Sequence, residues 1–519
     1  MSNIRAAQQK HAQYYQKALR DHHRLYRIGG TETTAALSQF ELNWQNIQVG
    51  QKWSASHASS NRRAAILCCY YPDAGATILN MRLSPIQRME WLNAAISAAD
   101  LIDDKSSRSN HLGNLGLVYS ETGNADIAER CFNEALVLAT ENGELKQQAS
   151  QLGNLGMLQT QRGQFEQAIT NLEKCQKIMV SLNDKHGQAN ALGNLGLAYN
   201  SIGDFDRALN FYDEALKIFT EIDNLYGQGN ALGEIGSVLI KKGAYQDALA
   251  FIEKQLAISN QLGDQFGVSM ALDNLAIVNV RLGDLAKAQE YFEKSIALDR
   301  DLGFRRSEAN GLGNLGNLLI RLGKLDQAFE AYEKQLVIGQ ELDDKIIQRD
   351  SSSNLGNYYL SCSDYMKALK YYQQALALDG ELKDKYGEGT DSCNAGTALR
   401  FLGDIDQATK FHQQALQIAQ NIGDRFGEGN ALANLGSDYQ ALGNYELARS
   451  YYERHQDIAT EIGDIKGEAD AIRNQASVDF KTNQVERALE RLQTVIQLYR
   501  KVGSPEAEKI EQVLNSLKS

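Results

Sequence analysis

The stretch Asn190-Ala-Leu-Gly-Asn194-Leu-Gly-Leu-Ala-Tyr199-Asn-Ser-Ile-Gly203-Asp-Phe-Asp-Arg-Ala208-Leu-Asn-Phe-Tyr212-Asp-Glu-Ala-Leu216 decides the fold, because versions of it recur every forty residues through most of the 519-residue chain. When Leu195 is set at position 7, position 20 is alanine in all ten copies, from Ala128 to Ala488. Position 8 is Gly or Ala throughout, and position 15 is Gly in eight copies, with Ser363 and Asn483 as the substitutes. Position 24 is mostly large (Phe132, Tyr212, Phe292, Tyr332, Tyr372, Tyr452) and position 28 is usually Leu or Ile. Small residues recur where helices touch, and the order reads helix, glycine turn, helix. Pro72, Pro85 and Pro505 all flank the ten copies, so nothing between them forbids continuous helix. A fixed internal period of this kind means one quasi-linear array of stacked units in place of several globular domains.

Within the first helix, positions 4, 7, 8 and 11 share a face, here Leu192, Leu195, Gly196 and Tyr199, which must pack on the second helix. Positions 2, 6, 9 and 13 cluster opposite, at 100° per residue. Position 6 is asparagine at Asn114, Asn154, Asn194, Asn274, Asn314, Asn354, Asn394, Asn434 and Asn474, with Glu234 as the interruption. Asparagine is a mediocre helix former, so a row of it on the face opposite the core implies a use for the amide. Position 2 adds Asn110, Asn190, Asn230, Asn310 and Asn430, one turn away. Glycine at position 5 (Gly113, Gly153, Gly193, Gly233, Gly313) costs on the order of 0.5 to 1 kcal/mol in a helix and suggests a close approach there. Position 13 places Lys241, Arg281 and Arg321 in three consecutive copies on the same stripe, with Lys242 in the adjoining turn, which points to an acidic partner segment.

Leu195, Gly196, Tyr199, Gly203, Ala208, Tyr212, Ala215 and Leu216 occupy the signature positions of the tetratricopeptide repeat, and the chain resembles its 40-residue variety, found in Pins-type spindle adaptors, kinesin light chains and bacterial signalling proteins. The resemblance implies an all-α, right-handed α-solenoid of antiparallel helix pairs whose first helices line a concave wall. It further implies that the position-6 asparagines bond the main chain of an extended peptide. One carboxamide can donate to a peptide C=O and accept from its N–H, so such a ladder reads backbone, and neighbours that differ between copies supply specificity. Two other readings of the row stay open: bonds between the asparagines along the stack, and duplication without selection.

The net charge of −12 argues against a general nucleic-acid binder. The opening residues lack a signal-peptide core and no apolar run could cross a bilayer, so a soluble, cytosolic protein is expected. Six cysteines show no metal or redox spacing and read as reduced, packed thiols. No phosphate loop, His-Glu-x-x-His or Gly-x-Ser-x-Gly elbow is present, so no catalytic residues, metal ligands or cofactor are assigned. His412 and His455 sit at packing positions and read as structural.

Residues 1–68 lack the period and read as an N-terminal helical region: a polar helix to about Arg27, a Gly29-Gly30 stop, and a helix from Thr33 or Thr34 towards Trp53. Residues 69–108 align as a degenerate repeat with Gly75 and Ala76 at positions 7 and 8, and Ser84-Pro85 opening a second helix. Residues 109–502 hold the ten repeats, and 503–519 a capping helix. The N-terminal stretch with Tyr14-Tyr15, Glu41, Trp44, Ile47 and Trp53 resembles the segment before the repeat sensors of bacterial STAND signalling ATPases, without their nucleotide-binding half. The expectation is a non-enzymatic scaffold binding an extended, acidic peptide, regulatory in bacterial signalling or defence. The alternatives are a small-molecule-sensing regulator, or a subunit of a fixed complex that binds through its convex face or N-terminal helices.

Overall fold

A computed structural model describes residues 2–28, 31–502, 504 and 506–518. Among these the chain forms 26 α-helices and a 3₁₀ turn at Ala58–Ser60, with no strand. The N-terminal helices are α1 (Ser2–Ile28), α2 (Thr31–His57), α3 (Arg62–Ala74), α4 (Ala76–Arg82) and α5 (Pro85–Ile102). Ten pairs follow: α6 (Lys105–Glu121) with α7 (Ala125–Glu141), α8 (Leu145–Gln161) with α9 (Phe165–Ser181), α10 (Lys185–Ile202) with α11 (Phe205–Glu221), α12 (Leu225–Lys241) with α13 (Tyr245–Leu262), and α14 (Gln265–Leu282) with α15 (Leu285–Leu302). The later five are α16 (Arg305–Arg321) with α17 (Leu325–Glu341), α18 (Lys345–Ser361) with α19 (Tyr365–Leu382), α20 (Lys385–Phe401) with α21 (Ile405–Ile422), α22 (Arg425–Ala441) with α23 (Tyr445–Ile462), and α24 (Ile465–Lys481) with α25 (Val485–Lys501). The last helix is α26 (Glu506–Lys518).

Each feature of the repeat has a physical cause. The position-15 glycines all adopt the left-handed conformation, from Gly123 at φ 77° to Gly443 at φ 75°, and end the first helix. Ser363 and Asn483 adopt the same conformation at φ 60° without glycine's freedom. Asp184, Asp264, Asp344, Asp384, Asp424 and Asp464 each accept a bond from a backbone N–H two or three residues on, as the expected N-caps. A cap of this kind contributes about 1 kcal/mol. All ten position-20 alanines are 0% exposed, so any larger side chain there would push paired helices apart. Position 8 is small because position 24 lies on it: a Cβ at Gly196 would stand 2.7 Å from the Tyr212 ring, and one at Gly436 2.5 Å from Tyr452.

The array of repeats runs through both of the compact units into which the contacts divide the chain, Met1–Gly267 and Val268–Ser519, with the division inside α14. In the first unit, Phe40, Trp44, Trp53, Tyr71, Ile78 and Trp91 form a core of their own, and Trp44 stacks on Trp91. The degenerate repeat departs from expectation in its first helix. Residue 69 falls inside α3, Pro72 lies within that helix, and the chain breaks at Gly75. Leu19 leaves room only for glycine at that break, since a Cβ at Gly75 would meet its Cδ1 at 2.4 Å. Ser84 does open α5 with a reciprocal capping box, and Trp91 and Ala95 of that helix are buried. In the second unit α26 closes the stack by burying Ala507, Ile510 and Leu514 against Leu492, Val495, Ile496 and Tyr499. The Gly29-Gly30 stop and Pro505 lie outside the described residues. No helix among the described residues is long and apolar enough to cross a membrane.

Candidate functional site

The wheel argument places the asparagine row off the core, and the side chains lie there. Leu192, Leu195, Gly196 and Tyr199 are buried, Asn114 and Asn314 are exposed, and Asn154, Asn194, Asn274, Asn354, Asn394, Asn434 and Asn474 are half-buried. Asn110, Asn190, Asn230, Asn310 and Asn430, one turn earlier, are all exposed. Glu234 occupies the same place as the asparagines and is half-buried.

The row divides by what its amides already do. Asn154 donates to Gln151 Oε1 at 3.4 Å, and Asn354 donates to Gln335 Oε1 at 3.2 Å. Asn434 is the most engaged: it donates to Cys393 Sγ and the Asn430 carbonyl, and its Oδ1 accepts from Arg400 at 3.1 Å. Among the described residues, Asn114, Asn194, Asn274, Asn314, Asn394 and Asn474 have no hydrogen-bond partner within the protein. Bonding within the protein therefore explains three members, and half-exposed, uncommitted amides remain on the same face in both units.

Four cavities open on this row. One of about 460 Å³ is lined by Asn190, Asn194, Leu197, Tyr212, Tyr226, Asn230 and Glu234 among others. Another of about 440 Å³ is lined by Asn310, Gly313, Asn314, Asn317, Gln335, Asp350, Ser353 and Asn354. Asn394 and Asn434 line a third of about 230 Å³ with Tyr386, Ile418 and Ile422, and Asn114 lines a smaller one with Leu117 and Glu121. The position-5 glycines need a correction. At Gly233 and Gly313 the close approach comes from Gln255 and Gln335 of the second helix, each 2.7 Å from where a Cβ would stand, while Gly193 faces open space. The small residue accommodates the protein's own side chain.

Lys241, Arg281 and Arg321 are all exposed. Lys241 belongs to the first unit and donates to Asn200 Oδ1 at 3.0 Å; Lys242 is paired with Asp206. Arg281 and Arg321 belong to the second unit, and among the described residues no carboxylate lies within ion-pair distance of either.

Two features escaped the sequence reading. Exposed side chains at His186, Tyr226, Phe266, Ile346, Tyr386 and Phe426 stand at the second residue of six of the ten first helices, a signal that the asparagines overshadowed. The second is a buried polar network in α18–α20: Arg349 bonds Asp350, Asp379 and Asp384 at 2.6, 2.8 and 2.7 Å, and Ser353 donates to Asp391 at 2.7 Å. Burial pushes the Asp391 carboxyl up to about 7, and Asp273 likewise. Both features sit at repeat positions that vary in type, so a single alignment column does not reveal them. His412 is fully buried, bonded to Asp438 and the Cys393 carbonyl, and its role is structural.

Tetratricopeptide repeat models match residues 112–142, 147–221, 227–301, 307–381, 349–421, 388–461 and 427–501. The chain belongs to the tetratricopeptide repeat family. No curated protein matches it. Among solved structures, this tetratricopeptide repeat protein is similar to the apo form of the quorum sensor NprR from B. thuringiensis, at 16% identity and TM-score 0.49, over 65% of this chain and 97% of that one. It is also similar to a Rap protein complexed with competence and sporulation factor, at 15% identity and TM-score 0.45, over 72% and 98%. A third is BtubC (BKLC) from P. vanneervenii, at 20% identity and TM-score 0.37, over 43% and 91%.

Proposed function

We propose that this tetratricopeptide repeat protein is a non-catalytic interaction scaffold that binds an extended segment of a partner protein along the exposed face of its first helices. The observation that carries the reading is the set of uncommitted carboxamides at Asn194, Asn314 and Asn394, each beside a cavity and each at the same place in its helix. Carboxamides that are half-buried, as at Asn194 and Asn394, or exposed, as at Asn314, can exchange bonds with a peptide main chain at little desolvation cost. Lys241 contributes through its bond to Asn200, and Arg281 and Arg321 offer unpaired cations to acidic side chains of the segment. That electrostatic part weakens as salt rises. The regulatory role in bacterial signalling or defence rests on the resemblance to STAND-type sensors alone.

The test starts from a random twelve-residue peptide library displayed on phage and selected on the full chain. An enriched peptide is then titrated against the chain carrying Asn194→Ala, Asn314→Ala and Asn394→Ala together. The expected loss is at least tenfold in affinity, about 1.4 kcal/mol, with helical content and melting temperature retained. An unchanged affinity in the folded triple variant would sink the reading.

A further inference from the structure

Glu234 is the one exception in the asparagine row, and its surroundings are unlike those of the asparagines. It reaches the cavity of about 460 Å³ between α10 and α12, whose other walls include Leu197, Tyr212, Phe219 and Tyr226. The Tyr212 hydroxyl donates to Glu234 Oε2 at 3.2 Å. Among the described residues no lysine or arginine lies within ion-pair distance of that carboxylate. His186 lines the same cavity, and its ring is bonded to the Asn190 amide at 3.1 Å. Phe219 and Tyr212 are almost fully buried beneath it, and Tyr226 stands 57% exposed at the rim. The cavity thus joins an apolar and aromatic wall to one carboxylate that lacks a cation.

The three kinds of occupant differ in what they leave unpaired. An acidic side chain meets like charge across a partly desolvated space. A purely apolar one takes water from Glu234 and returns no partner. A lysine or arginine lays its methylene stem along Leu197 and the rings, and brings its charged head to the carboxylate. The ring faces add cation–π attraction. Asn194 and Asn230 line the same cavity, and a carboxamide oxygen accepts further bonds from a cationic head.

From this charge complementarity we infer that the Glu234 cavity is a subsite for one lysine or arginine side chain of the bound segment. The inference rests on the reading under Proposed function and deepens it: the segment carries a cation where it passes Glu234. Glu234 interrupts the backbone-reading row because at this place the protein reads a side chain.

The experiment selects the same phage-displayed library on the full wild-type chain and on Glu234→Asn, which restores the residue of the other repeats. Glu234→Gln serves as the near-isosteric control, and all variants are compared by melting temperature. Wild type is expected to enrich peptides with Lys or Arg at one fixed position, and Glu234→Asn to lose that preference. A wild-type-selected peptide should bind Glu234→Asn and Glu234→Gln at least tenfold more weakly. The same peptide with its cation replaced by Glu should recover binding on Glu234→Lys. If the enriched peptides lose affinity on Asn194→Ala yet show no fixed cation and ignore Glu234→Asn, the subsite is wrong and the groove reading stands. If nothing is enriched, or if binding ignores the asparagines as well, both fall.

Discussion

The cavity beside Asn194 in the first unit and the cavity beside Asn314 in the second are built on the same repeat positions and from opposite chemistry. Positions 1 and 31 of the third repeat, Ala189 and Phe219, line the first cavity; in the sixth repeat, which holds Asn314, the same positions are Ala309 and Gly339, and in the seventh, which closes the second cavity, they are Arg349 and Asp379, bonded at 2.8 Å. The first pair leaves an aromatic floor under a lone carboxylate. The second cavity is lined by carboxamides, and its one acid, Asp350, is held from outside the lining by Arg349 Nε at 2.6 Å. A shared scaffold therefore fixes where the asparagines stand, and the varied positions decide the chemistry of each cavity beside them.

The sharpest way to break that comparison is to exchange the pairs. Arg349→Ala leaves Asp379, which is 0% exposed, without its cation, and should cost about 3 to 5 kcal/mol. Adding Asp379→Phe to it copies the first-unit pair into the second, where Gly387 leaves room as Gly227 does beside Phe219. The double variant should regain most of the loss, because an apolar pair of similar volume is often as stable as a buried ion pair. Urea unfolding of the single and double variants decides it, and a double variant no more stable than Arg349→Ala would show that the two environments are not interchangeable.

A smaller effect separates the units by pH. Burial raises the Asp391 carboxyl to about 7 beside Asp379, Arg349 and Ser353, so the folded protein holds a proton that the unfolded chain releases near the ordinary carboxylate range. Stability from this group is greatest below about pH 4 and is lost as pH rises towards 7. Asp391→Asn should flatten that decline in melting temperature between pH 4 and 7, while the wild type keeps it. Equal slopes would show that the group does not hold the proton.

The smallest expected effect compares two turns. Gly203 at φ 90° and Ser363 at φ 60° end equivalent helices of the two units, and only the serine bears the steric cost of the left-handed region. Ser363→Gly should stabilise the protein by up to about 1 kcal/mol, read as a rise in melting temperature.

The repeat, its caps and its core were legible because each rests on a local rule: Asp384 before a first helix, glycine where the backbone turns left-handed, alanine where helices meet. The direction of the asparagine row followed from the helical wheel alone. What lay hidden depends on pairs distant in sequence. Leu19, fifty-six residues away, leaves no room for a side chain at Gly75 where the degenerate repeat breaks, and Gln255 and Gln335 fill the space that the position-5 glycines suggested for a ligand. Likewise the commitment of Asn354 to Gln335 and of Asn434 to Arg400 depends on which side chains neighbouring helices present. Periodicity cannot distinguish those asparagines from Asn194 or Asn314.

That distinction supplies the most direct measurement. A peptide selected on the full chain is titrated calorimetrically against two triple variants, one lacking the uncommitted amides of Asn194, Asn314 and Asn394, the other the internally bonded amides of Asn154, Asn354 and Asn434. The expected result is a loss of affinity of at least tenfold in the first with stability retained, and in the second a lower melting temperature with a smaller change in affinity. Equal losses of affinity in both, or none in the first, would contradict the claim that uncommitted carboxamides on the exposed face of the first helices hold the partner.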